Sequence, residues 1–332
     1  MRYKSVDDLV PGDKIGEDIV SDSGIVLLVT GFSLTERSIE GLKAKGIWQV
    51  LIDDAISKGV MPSQPVSKII EKDVMDALRK LDIEKVQQQA HAMVEELMNY
   101  SGNIVDFEVI KSLDDYTYQH SYSVGCLSAM VGMASGRFNM KELRNLTTSG
   151  LLHDVGKRSI PLEILNAPRK LTEMEFMLIK EHPSFGYNLL RDNYELSSTV
   201  KVAVLQHHEN EDGTGYPQGL DGGKIHAFSK IVHIADVFDA LTSNRSYREP
   251  MSRSDALKYI AENTNSMFSK TYSKIFSAIV VPYPTGSTVR LSDGREAVIV
   301  KNDVRALYNP YLRLEGAEES IPLSDTGCDI LD

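Results

Sequence analysis

The sequence predicts a mainly α-helical protein with an all-helical core, a small α/β module before it and a short β-rich extension after it. Apolar residues recur at helical spacing almost throughout residues 105–280. Strand-like runs bounded by turn residues are confined to the first and last stretches of the chain. The length of 332 residues allows two or three folded units, and 42% hydrophobic with 25% charged residues is typical of a folded protein.

Residues 1–58 are predicted to form a small α/β module with a regulatory or structural role. Residues 25–29 form an apolar strand-like run. An amphipathic helical pattern then opens near Leu34 and stops at Gly46, and residues 47–52 indicate another strand. No side chain in this segment has the pattern of a catalytic group, so the module is assigned no ligand.

Residues 59–104 are predicted to be a linker followed by a connecting helix. Pro62 and Pro65 favour an irregular linker, and one helical pattern then runs from Lys68 to Tyr100. The simpler interpretation is a helix that packs on the protein's own core. The alternative is a helix that also joins two copies of the chain in a homodimer.

Residues 105–280 are predicted to form the functional domain, and residues 281–332 a β-rich extension. Helical segments of the functional domain are expected at residues 118–138, 140–153, 173–191, 197–208, 229–241 and 254–263. In the extension, Asp293-Gly294 separates two apolar runs, which predicts a strand–turn–strand unit over residues 288–300.

Charge and apolar patterning exclude several classes of function. With 36 basic against 47 acidic residues, the net charge of -11 argues against a protein that binds nucleic-acid polymers, although a small anion needs only a few local cations. No apolar run approaches the ~20 residues that cross a bilayer. Cys126 and Cys328 lie far apart and do not suggest a disulfide framework. We therefore expect a cytoplasmic protein with no membrane or nucleic-acid partner.

The histidines carry the strongest chemical signal. Seven of the eight lie between His120 and His233. Two adjacent pairs, His153-Asp154 and His207-His208, each stand at the end of an apolar helical run. A single histidine at a helix end is more often a core or capping residue, but two such pairs favour a metal site. Neutral imidazoles and carboxylates are the natural ligands of divalent first-row metals.

The series His120, His153-Asp154 and Asp236 resembles the ligand signature of the HD superfamily of metal-dependent phosphohydrolases. The motifs LLHDVGK, HHENEDGTGYPQGL and IADVFDALTSNRSYR, in this order, are similar to those of the HD-GYP family of cyclic di-GMP phosphodiesterases. The resemblance covers about residues 105–275, roughly half of the chain. It implies an HD-type helical bundle for the core.

The resemblance also implies two divalent metal ions held by seven residues. The ligands of the first ion would be His120, His153, Asp154 and Asp236. Those of the second would be His182, His207 and His208, with Asp154 bridging the two ions. Such a ligand set suits iron or manganese best and also accepts zinc or nickel. Some family members bind a third metal through a Glu at the position of Tyr116 here, so we expect a binuclear site.

Five further residues are candidates for substrate contacts. Lys157, four residues after His153, is expected to bind a substrate phosphate and, with Asp154, to be catalytic. Arg245 and Arg248 could clamp a second phosphate or a guanine edge. Gly215 allows a close backbone approach, and Tyr216 could stack on guanine or hydrogen-bond a phosphate. The alternatives are surface ion pairs for the arginines and a tight turn packed on the core for the loop.

The remaining polar residues of these motifs are assigned supporting roles. Glu209 is expected to orient a histidine ligand, and His233 to be a core residue. The resemblance further implies that the Gly-Tyr-Pro loop contacts diguanylate cyclase domains.

Taken with the resemblance, these residues predict a phosphodiesterase that hydrolyses cyclic di-GMP to linear pGpG by attack of a metal-bridging hydroxide. Whether hydrolysis continues to GMP is left open. One alternative is a catalytically weak module that binds a cyclic dinucleotide or another protein in signalling. The other is a phosphodiesterase for a different cyclic dinucleotide, such as cyclic GMP-AMP.

Overall fold

A computed structural model describes residues 1–20, 25–100, 104–109, 116–167, 169–243 and 250–331. The predicted mainly α fold is confirmed: helices form the centre, and strands occur toward the two ends of the chain. The largest cluster of buried apolar residues lies among the helices, and smaller clusters lie in the N-terminal module and in the C-terminal sheet. Among the described residues, no helix combines the length and apolar character needed to cross a membrane.

The described residues of the N-terminal module form two antiparallel strand pairs and one α-helix. Strand β1 pairs with β4, and β2 with β3. The helix begins after Thr35, whose side chain caps the first turn by accepting the Ser38 N–H. The predicted strands and helix are therefore present. The bounds are β1 Arg2–Ser5, β2 Ile19–Val20, β3 Val26–Leu28, α1 Glu36–Ala44 and β4 Gln49–Ile52.

The connecting segment is two helices, so the prediction of one helix over residues 68–100 is wrong. α2 (Lys68–Lys80) ends where Leu81 adopts the left-handed conformation with φ 55°, and α3 (Ile83–Asn99) begins after Asp82. Asp82 stops one helix and starts the next because its carboxylate accepts the Lys85 N–H as an N-cap. Both helices contribute buried residues to the main helical core, as the simpler interpretation required.

Nine α-helices follow within the described residues of the functional domain. Their bounds are α4 Tyr116–Ser135, α5 Met140–Leu152, α6 Leu162–Leu165, α7 Glu173–Lys180, α8 His182–Leu190, α9 Ser198–Gln206, α10 Ala227–Thr242, α11 Arg253–Glu262 and α12 Lys270–Ile279. The segment predicted over residues 173–191 divides into α7 and α8 at Glu181. Pro183 favours this division because proline, lacking an N–H, is tolerated in the first turn of a helix and not in its interior.

Glycines allow a close crossing of two helices of the domain. A Cβ atom on Gly150 of α5 would lie only 2.9 Å from the Gly125 Cα of α4. The two backbones can therefore approach only because neither position carries a side chain. This crossing brings the His120 and His153 rings to 5.1 Å between centroids.

The C-terminal extension is a five-stranded antiparallel sheet in the order β8-β7-β6-β5-β9. The predicted strand–turn–strand unit is confirmed by β5 and β6, which pair on either side of Gly294, a residue with φ 89°. The bounds are β5 Thr288–Leu291, β6 Glu296–Lys301, β7 Tyr311–Leu314, β8 Ile321–Pro322 and β9 Ile330–Leu331.

Buried hydrogen bonds join the C-terminal extension to the segment before α4 and to the N-terminal module. The Asp106 carboxylate accepts the backbone N–H and the hydroxyl of Thr285 at 2.6 and 2.7 Å, and the side-chain amide of Asn302 at 3.0 Å. The Tyr3 N–H donates to the Gly286 carbonyl at 2.8 Å. The domain limits at residues 58, 104 and 280 stay predictions.

Candidate metal centre

The seven predicted metal ligands come from five helices and converge on one buried point. His120 lies in the second turn of α4, and Asp236 lies in the middle of α10. The other five stand at helix ends: His153 and Asp154 directly after α5, His182 at the start of α8, and His207 and His208 directly after α9. Helix ends bring these side chains together because the helices converge there from different directions.

The donor atoms form triads, each with all its atoms within 4.8 Å of one another. The three triads are His120–His153–Asp236, His182–His207–His208 and His153–Asp154–His207. We call the first the carboxylate triad and the second the imidazole triad. The third contains members of both halves of the site and the carboxylate predicted to bridge them.

Asp154 lies between the two triads. Its Oδ2 is 3.7 Å from His120 Nε2 and 3.4 Å from His153 Nε2, whereas its Oδ1 is 3.3 Å from His182 Nε2. One oxygen therefore faces each triad. On the other side of the centre, Asp236 Oδ1 lies 3.1 Å from His120 Nε2.

The imidazole rings are oriented through their Nδ1 atoms. Nδ1–H donates to the carbonyl three residues earlier in His153 (Gly150, 2.7 Å), His182 (Ile179, 2.8 Å) and His207 (Val204, 2.7 Å). A carbonyl only accepts, so the proton of each neutral ring lies on Nδ1. The Nε2 lone pair is thereby directed to the centre, as a metal ligand requires.

His120 is oriented by a carboxylate that sequence reasoning missed. Its Nδ1 donates to Asp239 Oδ2 at 2.6 Å, and the Ser243 hydroxyl donates to the Asp239 carbonyl at 2.5 Å. Asp239 is 4% exposed. The available signal was its spacing, because Asp239 follows Asp236 by three residues and so lies on a neighbouring part of the same helix face.

The centre has the properties of a cation site. Among the described residues, His120 Nε2, His153 Nε2 and Asp154 Oδ1 are buried and make no hydrogen bond. A buried polar atom without a partner is costly and therefore rare in folded proteins. All three atoms point into the triads, and imidazole with carboxylate is a donor set that suits divalent first-row metals. The residues present therefore fit a divalent metal ion.

The pKa values differ between the two triads. Burial, reinforced by the neighbouring histidines, holds the pKa of His207 well below the ordinary range, and burial lowers the pKa of His182 to about 4. Burial also acts on His153, but the Asp154 and Asp236 carboxylates outweigh it and raise the pKa of that imidazole. The imidazole triad is thus neutral at pH 7, whereas the carboxylate triad attracts positive charge.

Lys157 contacts the carboxylate between the triads. Its Nζ lies 2.5 Å from Asp154 Oδ2. Burial disfavours the Asp154 anion, but Lys157 and His153 outweigh burial and hold the pKa of Asp154 well below its ordinary range. Lys157 belongs to a 3₁₀ turn at Val155–Ser159, not to a continuation of α5, so it pairs with Asp154 three residues earlier.

Gly156 sets the position of this turn against α8. A Cβ atom there would collide with the His182 carbonyl oxygen and the Gly186 nitrogen, both of which belong to α8. The absence of a side chain therefore allows the turn to lie directly on the backbone that carries His182.

The loop after His208 is held by Glu209. This carboxylate, 2% exposed, accepts the backbone N–H groups of Gln218 at 2.7 Å and Leu220 at 2.8 Å. The prediction that Glu209 orients a histidine is wrong, because its two oxygens accept hydrogen bonds from the backbone at the far end of the loop instead. Sequence reasoning missed this because both partners are backbone groups nine and eleven residues away.

Tyr216 lies against the imidazole triad. Its ring stacks on His208 with centroids 4.7 Å apart and an interplanar angle of 24°, and the Tyr216–Pro217 peptide bond is cis. A Cβ on Gly215 would lie 2.5 Å from the Glu209 Cα. The close backbone approach predicted at Gly215 is therefore to the protein's own chain, and its contact with a substrate stays a prediction.

Comparison with known proteins identifies the central part of the chain. A family model described as "HD domain" matches residues 108–271. The cyclic di-GMP phosphodiesterase PA4108 of Pseudomonas aeruginosa is 34% identical over 250 residues, which are 73% of this chain and 59% of that protein. Residues 108–271 of the chain are therefore identified as an HD domain.

One further curated relative and one solved structure extend the comparison. The 3'3'-cGAMP-specific phosphodiesterase 1 of Vibrio cholerae is 35% identical over 190 residues, which are 56% of this chain and 42% of that protein. The chain thus spans about half the length of these curated relatives. The solved structure of Bd1817, an HDG"Y"P protein from Bdellovibrio bacteriovorus, covers 83% of this chain and 98% of its own, with 19% identity and a TM-score of 0.54, and so shares the fold.

Other predicted residues around the HD domain's centre have mixed outcomes. Tyr116, where the resemblance implies a third-metal ligand in some family members, stacks on His120 with centroids 5.9 Å apart. His233 is buried, as predicted, and donates from Nδ1 to the His207 carbonyl at 2.8 Å. Arg245 and Arg248 lie outside the described residues, so their substrate contacts stay predictions.

Proposed function

We propose that this chain is a metal-dependent phosphodiesterase that hydrolyses cyclic di-GMP to linear pGpG. The observation that carries this proposal is the pair of adjoining triads with Asp154 between them, in an HD domain. A relative named as a cyclic di-GMP phosphodiesterase, 34% identical, supports the substrate. Onward cleavage of pGpG to GMP is compatible with the same site.

The site is proposed to hold two divalent ions, with iron or manganese favoured and zinc or nickel acceptable. The carboxylate triad would hold one ion, the imidazole triad would hold the other, and Asp154 would contribute an oxygen to each. When bound, such ions polarise a phosphoryl oxygen and increase the acidity of water, which is the chemistry that hydrolysis of a phosphodiester needs.

The chain's own residues would bind and orient the substrate. The Asp154 pKa is held low, so this group is an anion at neutral pH and a constant ligand. Lys157, with 32% of its side chain exposed, can turn an N–H toward a phosphate oxygen. Burial raises the pKa of Tyr216, so its phenol remains a hydrogen-bond donor for phosphate or a flat surface for guanine.

The experiment that tests this proposal is turnover of cyclic di-GMP by purified protein loaded with Mn²⁺ or Fe²⁺, followed by chromatography of the products. We expect pGpG to appear and the His153→Ala and Asp154→Ala variants to be inactive. His91→Ala is the matched control because His91 is an exposed histidine of α3. If both site variants hydrolyse the substrate at the parent rate, the site is wrongly assigned.

A second candidate substrate is 3'3'-cGAMP. A relative that is 35% identical is named as specific for it, and both dinucleotides carry two phosphodiester groups. The two are distinguished by the ratio of their kcat/KM values with the same metal-loaded preparation. A ratio above one for cyclic di-GMP supports the main proposal, and the reverse ratio replaces it.

Two associations are also proposed. The loop after His208 would contact diguanylate cyclase domains, and its Asp212, Thr214 and Gln218 are exposed. The pair α2–α3 would contribute to a homodimer, and Ile69 and Met98 on these helices are 76% and 55% exposed. Equilibrium sedimentation of the parent and of Ile69→Lys tests the dimer: an unchanged monomer mass in both contradicts it.

A further inference from the structure

A lysine outside the predicted site lies at its edge. Lys180 is the last residue of α7, two residues before the ligand His182. Its Nζ lies 5.2 Å from the centroid of the Tyr216 ring and 5.1 Å from that of Phe176. Because the Tyr216 ring also stacks on His208, one continuous line of contacts runs from the imidazole triad to this ammonium group.

The charge of Lys180 is not neutralised in the described part of the chain. No carboxylate there lies within ion-pair distance of its Nζ, and its described side-chain contacts are the two aromatic rings. Three other lysines of the domain differ: Lys157 pairs with Asp154, Lys224 with Asp221 and Lys230 with Glu211. Aromatic rings hold a cation without using its N–H groups, so the three donors of Lys180 can reach an anion.

The proposed substrate supplies a second anion besides the phosphate that reacts. A cyclic dinucleotide has two phosphodiester groups, and only one of them can lie between the two triads. The other remains outside the centre, on a protein whose net charge is -11 and which would repel it elsewhere. An ammonium group fixed at the edge of the site, half-buried against Tyr216, is suited to that second phosphate.

We infer that Lys180 is a specificity-determining residue that binds the phosphate that is not being cleaved. This inference rests on the proposed function, since it names a group of that substrate. Lys180 would favour substrates with two phosphodiester groups over those with one. Tyr216 would hold the lysine in place through the contact of its ring with the ammonium group.

The test compares a substrate that has the second phosphate with one that lacks it. The substrates are cyclic di-GMP and bis(p-nitrophenyl) phosphate, and the protein is the full chain loaded with Mn²⁺. Lys180→Met keeps the length and apolar stem of the side chain and removes the charge. Lys180→Arg restores the charge, and Lys274→Met, at an exposed position of α12, is the matched control.

We expect Lys180→Met to raise KM for cyclic di-GMP at least about tenfold more than KM for bis(p-nitrophenyl) phosphate, because a hydrogen bond to a charged group is lost. Lys180→Arg should recover most of the loss, and Lys274→Met should behave as the parent. An equal effect on both substrates, or no effect on either, contradicts the role of Lys180 alone. A parent that cleaves bis(p-nitrophenyl) phosphate and not cyclic di-GMP contradicts the proposed function, and the Lys180 assignment falls with it.

Discussion

The two halves of the metal centre are built from different donors. The carboxylate triad combines two imidazoles with Asp236, and Asp239 adds a further negative charge behind His120. The imidazole triad has three histidines, two of which, His182 and His207, donate to the backbone carbonyls of the residues three positions earlier. One half therefore attracts a cation by charge, whereas the other offers uncharged lone pairs.

The two donor sets prepare the halves for a metal ion in different ways. Buried carboxylates are costly unless a cation compensates them, so the carboxylate triad is unfavourable when it is empty. The imidazole triad bears no such cost because burial itself lowers the pKa values of His182 and His207 and keeps the rings neutral. We expect the carboxylate triad to bind its ion more tightly, and the first three predictions test that asymmetry.

The largest effect is expected from Asp154→Asn, which removes the charge between the triads at constant shape. Metal content should fall from two ions per chain to one or fewer, and turnover of cyclic di-GMP should fall about a thousandfold or more, because both triads lose an anionic oxygen. Metal analysis and single-substrate kinetics measure this. Asp192→Asn, at an exposed position, is the control, and a variant that retains two ions would show that Asp154 bridges nothing.

A smaller effect is expected from Asp239→Asn, which leaves every ligand in place. The amide no longer offers a charged acceptor to His120 Nδ1–H, so the imidazole becomes a weaker and less ordered ligand. Affinity for the more tightly bound ion should fall about 10- to 100-fold, with the second ion less affected. Competitive metal titration against a chelating dye checks both. An equal loss of affinity for both ions would contradict the distinction between the triads.

Acidification should weaken metal binding by the carboxylate triad by about tenfold per pH unit, and that by the imidazole triad much less. The pKa of His153 is raised, so below that pKa a proton competes with the ion in the carboxylate triad. The pKa values of His182 and His207 are lowered, so the imidazole triad meets no such competition near pH 6. Metal titrations between pH 8 and 6 should show affinity falling steeply in His182→Ala, which keeps the carboxylate triad, and little in Asp236→Ala. Parallel pH profiles would contradict the assignment.

Sequence reasoning reached the ligands more completely than their surroundings. His153-Asp154 and His207-His208 stand out as adjacent pairs, and the structure brings them together with the other predicted ligands. Asp239 was missed because its partner His120 lies 119 residues away, and Glu209 was misassigned because its partners are backbone groups nine and eleven residues later. Only the folded chain shows which polar groups meet across such separations.

For the fold, too, the sequence predicted the main features but not their details. Helix periodicity located the helical core, but it cannot mark a break inside a continuous apolar pattern. Leu81 and Glu181 interrupt two predicted helices, and in both cases the local signal was a capping or first-turn residue, Asp82 or Pro183. The position of Lys180 is a further example, because only the fold places its ammonium group beside Tyr216, 36 residues later in the chain.

The smallest predicted effect concerns the loop that adjoins only the imidazole triad. Glu209→Gln keeps the side-chain shape but replaces a carboxylate that accepts two backbone N–H groups by an amide with one acceptor oxygen. The loop that carries Tyr216 should loosen, raising KM for cyclic di-GMP about three- to tenfold, since hydrogen bonds to charged groups contribute about 1.5–3 kcal/mol and only part is lost.

The control for this loop is Glu195→Gln, an exposed glutamate before α9. Metal content of Glu209→Gln should equal that of the parent, because the carboxylate bonds the loop and no ligand side chain. If Glu209→Gln instead loses one ion, the loop and the metal site are not independent. The Tyr216 loop and the imidazole triad would then be one cooperative unit, and the weaker half of the centre would depend on substrate-facing residues for its metal.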